Sequence, residues 1–210
     1  MEASRGSPQL GTNVPLSGEP LALDLVNTTF IDGGLRGRLV DVLVEPLQLD
    51  RWLREHAEAF DPGLYATVSA ARSTPDQLAA FRRLRQALRD CLEAVTADRV
   101  PPEDALAAVN RHARDAAHWS ELLADAPVTA VRRWQTADSM RVAAGEIASN
   151  GMAVMTGSLR SRLRACQAPG CILFFVKSHP RREWCSPACG NRVRVARHGR
   201  RRRHDPDGRN

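Results

Sequence analysis

Four cysteines near the C-terminal end of the chain have the spacing of a zinc site. Cys166 and Cys171 form one close pair, and Cys185 and Cys189 form a second pair after thirteen intervening residues. Two such pairs can bring four thiolates to about 2.3 Å from one tetrahedral Zn²⁺ ion. We therefore predict one structural zinc ion, held by all four sulfurs, with no coordination position left open for catalysis.

The residues around these pairs predict a β-hairpin followed by a helix, much like a treble clef. Pro169 and Gly170 supply a tight turn in the first pair, and residues 172–176 have the composition of a strand. Ser186 and Pro187 are typical of a helix start, so the second pair should lie at a helix N-terminus. The helix dipole favours the thiolate form there, and the thiolate is the form that binds metal.

Other assignments of the cysteines are open. Disulfides need an oxidising compartment, which nothing in the sequence indicates, and a redox dithiol normally has a Cys-x-x-Cys spacing that this chain lacks. A different metal, or His179 or His198 in place of one cysteine, would also satisfy a four-ligand site. Cys91 stands apart on the flank of a predicted helix, where a cysteine is usually a small core residue.

The positive charge of the chain is concentrated beside the cysteine pairs. Residues 160–204 contain 13 Lys or Arg and one acid, a net charge of +12, whereas residues 1–159 contain 16 Arg and 21 acids, a net charge of −5. Arginine forks suit phosphate contact and also guanine edges in a major groove. We predict binding to nucleic acid, with double-stranded DNA favoured, by these residues: Lys177, Arg181, Arg182, Asn191, Arg192, Arg194, Arg197, Arg200, Arg201, Arg202 and Arg203.

The alternative function is a protein-interaction zinc finger that does not contact nucleic acid. Its arginines would then pair with the acidic part of this chain or of a partner. Asn191 suits either an adenine edge or a local backbone cap. Arg192 follows the last cysteine directly and suits either a phosphate or a structural contact back to the hairpin. The sequence does not distinguish DNA from RNA.

Upstream of the cysteines, hydrophobic periodicity predicts a mainly α-helical domain with a small β-sheet. The predicted strands are residues 21–30, 38–44 and 128–134. The predicted helices begin near Pro46, after Pro62, after Thr74 and at Pro102, and a long one covers residues 137–155. Asp24 and Asn27 lie among apolar residues of the first predicted strand. We expect them to pin the sheet to a helix, and the less favoured alternative is that they line a ligand pocket.

These assignments divide the chain into a flexible tail (1–19), a mostly helical domain (20–158), a zinc finger with a basic helix (160–204) and a short tail (205–210). No catalytic triad, P-loop or dinucleotide fingerprint is present, so we expect no enzyme activity. The sequence has neither a membrane-spanning apolar run nor a signal-peptide pattern, so we expect a cytoplasmic protein. We expect the helical domain to sense a small molecule or to form a homodimer.

The residues Cys189-Gly190-Asn191-Arg192 resemble the signature of the CGNR zinc-finger family of bacterial proteins. The neighbouring residues 173–176, 179–182 and 193–198 resemble the rest of that finger, and residues 23–28 (LDLVNT) resemble the ABATE domain that is usually joined to it. The resemblance covers residues 18–204 and implies a stress-induced transcription regulator with a zinc-stabilised end that binds nucleic acid.

Overall fold

A computed structural model describes the backbone of residues 14–204 and the side chains of residues 14–198. The predicted tails therefore lie outside the described residues, except for residues 14–19. The described part is mostly helical with small antiparallel sheets, which confirms the predicted fold class. Its helices are α1 (Leu21–Val26), α2 (Pro46–Glu55), α3 (Tyr65–Ser69), α4 (Pro75–Thr96), α5 (Glu103–Asp115), α6 (Ser139–Thr156) and α7 (Pro187–His204). Its strands are β1 (Thr29–Asp32), β2 (Arg38–Asp41), β3 (His118–Leu123), β4 (Thr129–Trp134), β5 (Leu163–Ala165) and β6 (Phe174–Val176).

Helix α4 is the longest helix of the described part and lies at the centre of the N-terminal domain. It begins where the sequence predicts, because Thr74 and Gln77 form a reciprocal capping box and Pro75 occupies the first turn. Its apolar stripe is buried and packs against α1, α5 and α6. Gly145 of α6 lies so close to the end of α5 that a Cβ there would be 2.6 Å from the backbone nitrogen of Ala116. No helix among the described residues has the length and hydrophobicity to cross a membrane.

The strand predicted over residues 21–30 is wrong for its first six residues, which form helix α1. The leucines at 21, 23 and 25 alternate as in a half-buried strand, but every residue of α1 is buried. Alternation carries no information when both sets of side chains lie in the core, and such a short apolar run is compatible with either structure. The amides of Leu23 and Asp24 donate to the Pro20 carbonyl at 2.7 and 3.0 Å, which starts the helix.

The described part contains three antiparallel two-stranded sheets. Strand β1 pairs with β2, with Phe30 opposite Val40, and β2 covers the first four residues of the strand predicted over residues 38–44. Strand β4 pairs with β3. The strand β3 is not among the predicted strands, because its side chains are mostly exposed on both faces and leave no hydrophobic periodicity. The third hairpin pairs Leu163 of β5 with Val176 of β6. It belongs to the zinc finger, yet both of these side chains lie in the core of the N-terminal domain.

Candidate zinc centre and nucleic-acid interface

The sulfurs of the two cysteine pairs converge on one point. The four Sγ atoms of Cys166, Cys171, Cys185 and Cys189 all lie within 4.8 Å of one another. Cys171 Sγ is 3.7 Å from Cys185 Sγ, and Cys185 Sγ is 3.3 Å from Cys189 Sγ. In a tetrahedron with metal–sulfur bonds of about 2.3 Å, the sulfurs lie about 3.8 Å apart. The four residues are therefore positioned to bind one zinc ion, as predicted.

Without a cation, only one of the three thiols of Cys166, Cys171 and Cys185, that of Cys166, ionises readily. Cys166 Sγ accepts hydrogen bonds from the thiols of Cys171 and Cys185, which lowers the pKa of Cys166 to about 2. Donation to that thiolate raises the pKa of Cys171 to about 12 and raises the pKa of Cys185 as well. Zn²⁺ would supply the positive charge that lets the remaining thiols ionise together.

Gly170 of the zinc finger and Gly34 of the N-terminal domain lie in close contact. Gly170 lies between Cys166 and Cys171 and has a φ of +70°, the left-handed conformation that favours glycine. A Cβ on Gly170 would lie 2.4 Å from the carbonyl carbon of Gly34, in the β1–β2 turn. The turn of the first cysteine pair is thus seated directly on the backbone of the N-terminal domain.

Arg192 lies between the zinc ligand Cys189 and the Gly34 backbone of the N-terminal domain. Its Nη2 atom donates a hydrogen bond of 2.9 Å to Cys189 Sγ. A Cβ on Gly34 would lie 3.0 Å from Arg192 Cδ, and the buried Nε atom of Arg192 has no partner among the described residues. Hydrogen bonds to ligand atoms orient the ligand and tune metal affinity. Arg192 therefore makes structural contacts, but with Cys189 of its own helix and with Gly34 of the N-terminal domain, where the sequence suggests a contact back to the hairpin.

Asn27 joins the zinc finger to the N-terminal domain through a fully buried side chain. Its Nδ2 donates to the carbonyl of Phe174 at 2.9 Å, and its Oδ1 accepts from the amide of Phe174 at 3.0 Å. The side-chain amide thus completes the outer edge of β6 as a neighbouring strand would. Asp24 accepts from the amides of Gly18 and Glu19, and its Oδ2 lies 3.4 Å from His56 Nε2. Asn27 makes structural contacts. Asp24 makes structural contacts and also lines a cavity of about 430 Å³, so each of its two predicted roles stays a prediction.

Arg89 and Glu19 make further contacts between the N-terminal domain and the zinc finger. Arg89 donates from Nη1 to the carbonyl of Ile172 at 2.8 Å and from Nη2 to that of Val26 at 2.7 Å. Glu19 accepts from the amide of Val176 and from Nη2 of Arg182, both at 2.8 Å. The sequence predicts that Glu19 belongs to a flexible tail, but its side chain is only 7% exposed and holds the zinc finger.

Among the predicted nucleic-acid residues, those on α7 divide into two faces. Cys189 and Val193 are buried against the zinc hairpin, whereas Asn191, Arg194 and Arg197 are exposed. Arg194 Nη2 donates to Asn191 Oδ1 one turn away. The backbone of residues 200–203 continues α7, but the side chains of Arg200, Arg201, Arg202 and Arg203 lie outside the described residues.

The predicted cations before α7 have different surroundings. Arg181 is exposed and Lys177 is half-buried at the end of β6. Arg182 lies over the Phe175 ring, 4.7 Å from its centroid, and also donates to the carbonyl of Cys185 at 3.0 Å. Acceptors within the protein occupy the guanidinium of Arg182, so this residue stabilises the zinc finger. The sequence does not indicate this role, because Glu19, the acidic partner of Arg182, lies far away along the chain.

The remaining candidate ligands are not part of the zinc centre. His179 and His198 do not belong to the cluster of potential metal ligands. Cys91 is fully buried in the core of the N-terminal domain, and burial raises its pKa to about 11. A thiol with that pKa is protonated at neutral pH and behaves as a small apolar side chain.

The fold and the site define a two-part protein, a helical domain fused to a zinc finger with four cysteine ligands. Comparison with protein families gives the same division: residues 19–158 match the ABATE model, described as "Putative stress-induced transcription regulator", and residues 162–202 match the CGNR zinc finger model. The chain therefore belongs to the ABATE family and carries a CGNR zinc finger. No curated protein matches the chain.

Proposed function

We propose that this protein is a transcription regulator that binds double-stranded DNA through the exposed face of α7. The observation that carries the proposal is the division of that helix. Cys189 and Val193 anchor one face on the zinc hairpin, while Arg194 and Arg197 project from the remaining surface. A helix that is held by metal on one side and basic on the other suits phosphates and base edges.

The dimensions and polarity of α7 support contact with a duplex. Its 18 residues correspond to about 27 Å of helix, and a major groove of about 12 Å in width admits one helix. Asn191 and Arg194 lie three residues apart on the same side, and the hydrogen bond between them orients both polar groups. Arg194 would then contact a phosphate or a guanine edge, with Asn191 beside it.

In this proposal the N-terminal domain holds the zinc finger and either senses a small molecule or forms a homodimer. A cavity of about 340 Å³ in that domain supports the sensing role, because a few charged groups converge on it. Asp61 and Glu146 line this cavity together with Arg132, whose Nη1 lies 2.8 Å from Asp61 Oδ2. Burial raises the pKa of Glu146. The proposal assigns no catalytic step to the chain.

The test is duplex affinity of the full, zinc-loaded chain, measured by fluorescence anisotropy over a range of salt concentrations. The variant Arg194→Ala/Arg197→Ala should bind more weakly, and the slope of log K against log salt should become shallower by about 1.8, about 0.9 for each lost phosphate contact. The matched control is Arg111→Ala/Arg114→Ala, which removes two exposed arginines with the same spacing from α5. It should retain most of the affinity.

Two results would contradict the proposal. If the wild-type chain has no salt-dependent affinity for duplex DNA, the protein-interaction function is favoured instead. If both double variants lose the same affinity, the binding follows from net charge and not from α7. A parallel titration with duplex RNA of the same sequence tests the preference for DNA, which predicts weaker binding to the RNA.

A further inference from the structure

A small groove runs along the β5–β6 hairpin, on the part of the zinc finger that precedes α7. Arg162, Arg164, Lys177, Ser178 and His179 line this β5–β6 groove, which has a volume of about 240 Å³. None of the residues that line it, all of which the structure describes, is an aspartate or a glutamate. The groove therefore collects positive charge without an internal counter-ion.

The hairpin register brings the basic side chains together. Leu163 pairs with Val176, and both point into the protein core. Because successive residues of a strand alternate between faces, Arg164 projects from the opposite face. The amide of Lys177 donates to the carbonyl of Arg162 at 2.9 Å, which sets these two residues side by side at the end of the ladder.

The donors of these cations are available to a ligand. Arg164 Nη1 donates to the carbonyls of Ser161 and Leu163 at 2.9 and 2.6 Å, which fixes the guanidinium at the groove. Within residues 14–198, no acceptor pairs with its Nε or Nη2 atoms, nor with the side chains of Arg162 and Lys177. Arg182, by contrast, is occupied by Glu19.

His179 supplies a neutral donor beside the cations. The amide of Arg181 donates to His179 Nδ1 at 3.1 Å, so Nδ1 is an acceptor and the ring proton lies on Nε2. The Nε2–H group and the hydroxyl of Ser178 are uncharged donors of the kind that accompany cations in anion sites.

We infer that the β5–β6 groove binds one phosphate group of a nucleic-acid backbone. Three cations and two neutral donors match the acceptor-only oxygens of a phosphodiester, and the volume is below the roughly 300 Å³ at which sites for larger organic ligands begin. This inference rests on the proposed function, because it extends the DNA contact of α7 to a second element. A free phosphorylated small molecule presents the same chemistry and is separated from DNA by the experiment.

The first arm of the experiment measures the duplex affinity of the full, zinc-loaded chain with Arg162→Ala/Lys177→Ala. We expect about tenfold weaker binding and a salt slope that is shallower by about 0.9, since the one phosphate contact of the groove is lost. The matched control is Arg99→Ala/Arg160→Ala. It removes two charges near the C-terminal end of α4. Arg99 follows that helix, and Arg160, which precedes β5, donates to the carbonyl of Val95 and lies 3.5 Å from Asp98. Equal losses for the two double variants would overturn the inference.

The second arm keeps the inference testable if wild-type protein does not bind duplex DNA. Inorganic phosphate is titrated into the full chain while NMR follows the side-chain signals of Arg164 and His179. Saturable shifts that disappear in Arg162→Ala/Lys177→Ala, without any duplex affinity, would uphold a phosphate site and reject the proposed function. If no saturable shifts occur and Arg162→Ala/Lys177→Ala keeps the duplex affinity of the wild type, the inference that the groove binds phosphate is overturned. Unchanged zinc content and circular dichroism confirm that each variant is folded.

Discussion

The substitution Asn27→Ala tests how firmly the zinc finger is held by the N-terminal domain. Asn27 is fully buried, and its two hydrogen bonds satisfy both backbone groups of Phe174, which is 2% exposed. Alanine would leave an amide and a carbonyl buried without partners. Each unsatisfied group costs about 1–3 kcal/mol, so we expect the free energy of unfolding to fall by about 4 kcal/mol.

The assay is equilibrium unfolding of the zinc-loaded chain in denaturant, followed by circular dichroism. The midpoint should move to lower denaturant with little change in the slope, because the same surface is exposed on unfolding. The control is Asn110→Ala on the exposed side of α5, which should change stability by less than about 0.5 kcal/mol. A loss below about 1 kcal/mol for Asn27→Ala would refute the assigned role, since the two backbone groups would then find other partners.

Three further predictions concern the zinc centre and the segment that holds it. Elemental analysis should find one zinc per chain, and Cys185→Ser should abolish that zinc. Arg192→Ala should lower zinc affinity by about tenfold in a competition with a chelator, because the hydrogen bond to the thiolate is lost. His56 has a pKa raised above 6.5: burial lowers the pKa, but Asp24 and the Trp52 carbonyl outweigh burial by stabilising the charged ring. Its contribution to stability should be complete below pH 6.5 and lost as the pH rises through the folded pKa.

Each of these predictions has a result that would contradict it. A metal-free chain with a fully folded C-terminal end would contradict the structural zinc. For Arg192, the control is Arg194→Ala. Equal zinc affinities in Arg192→Ala and Arg194→Ala would contradict a role of the Arg192 hydrogen bond in zinc binding. For His56, the denaturation midpoint is compared between wild type and His56→Gln from pH 5.5 to pH 8.5. A difference that grows with rising pH would have the wrong sign.

The zinc centre was predictable because its information is local. The ligands lie within 24 residues, and the turn at Gly170 and the helix start at Ser186 are set by neighbouring residues. Helix α4 was predictable for the same reason, since the capping box at Thr74 marks its first turn. Local signals of this kind do not depend on the rest of the fold.

The sequence was less informative wherever a residue's role depends on distant partners. Arg182 resembles a free cation, but its acid partner is Glu19, and the contact exists only after the two parts of the chain meet. Arg162 and Arg164 are absent from the predicted set because the sequence predicts a hairpin without locating its first strand, β5, which sets them beside Lys177. Helix α1 was misassigned because complete burial removes the contrast on which periodicity depends.

The central claim is that α7 brings this protein to specific places on double-stranded DNA. The most direct measurement is genome-wide footprinting of the tagged full chain, compared with the tagged Arg194→Ala/Arg197→Ala variant at equal abundance. We predict discrete protected sites for the wild-type chain, and we predict that these sites disappear in the variant while its zinc content is retained. An absence of protected sites for wild type, or identical sites for the variant, would contradict the account.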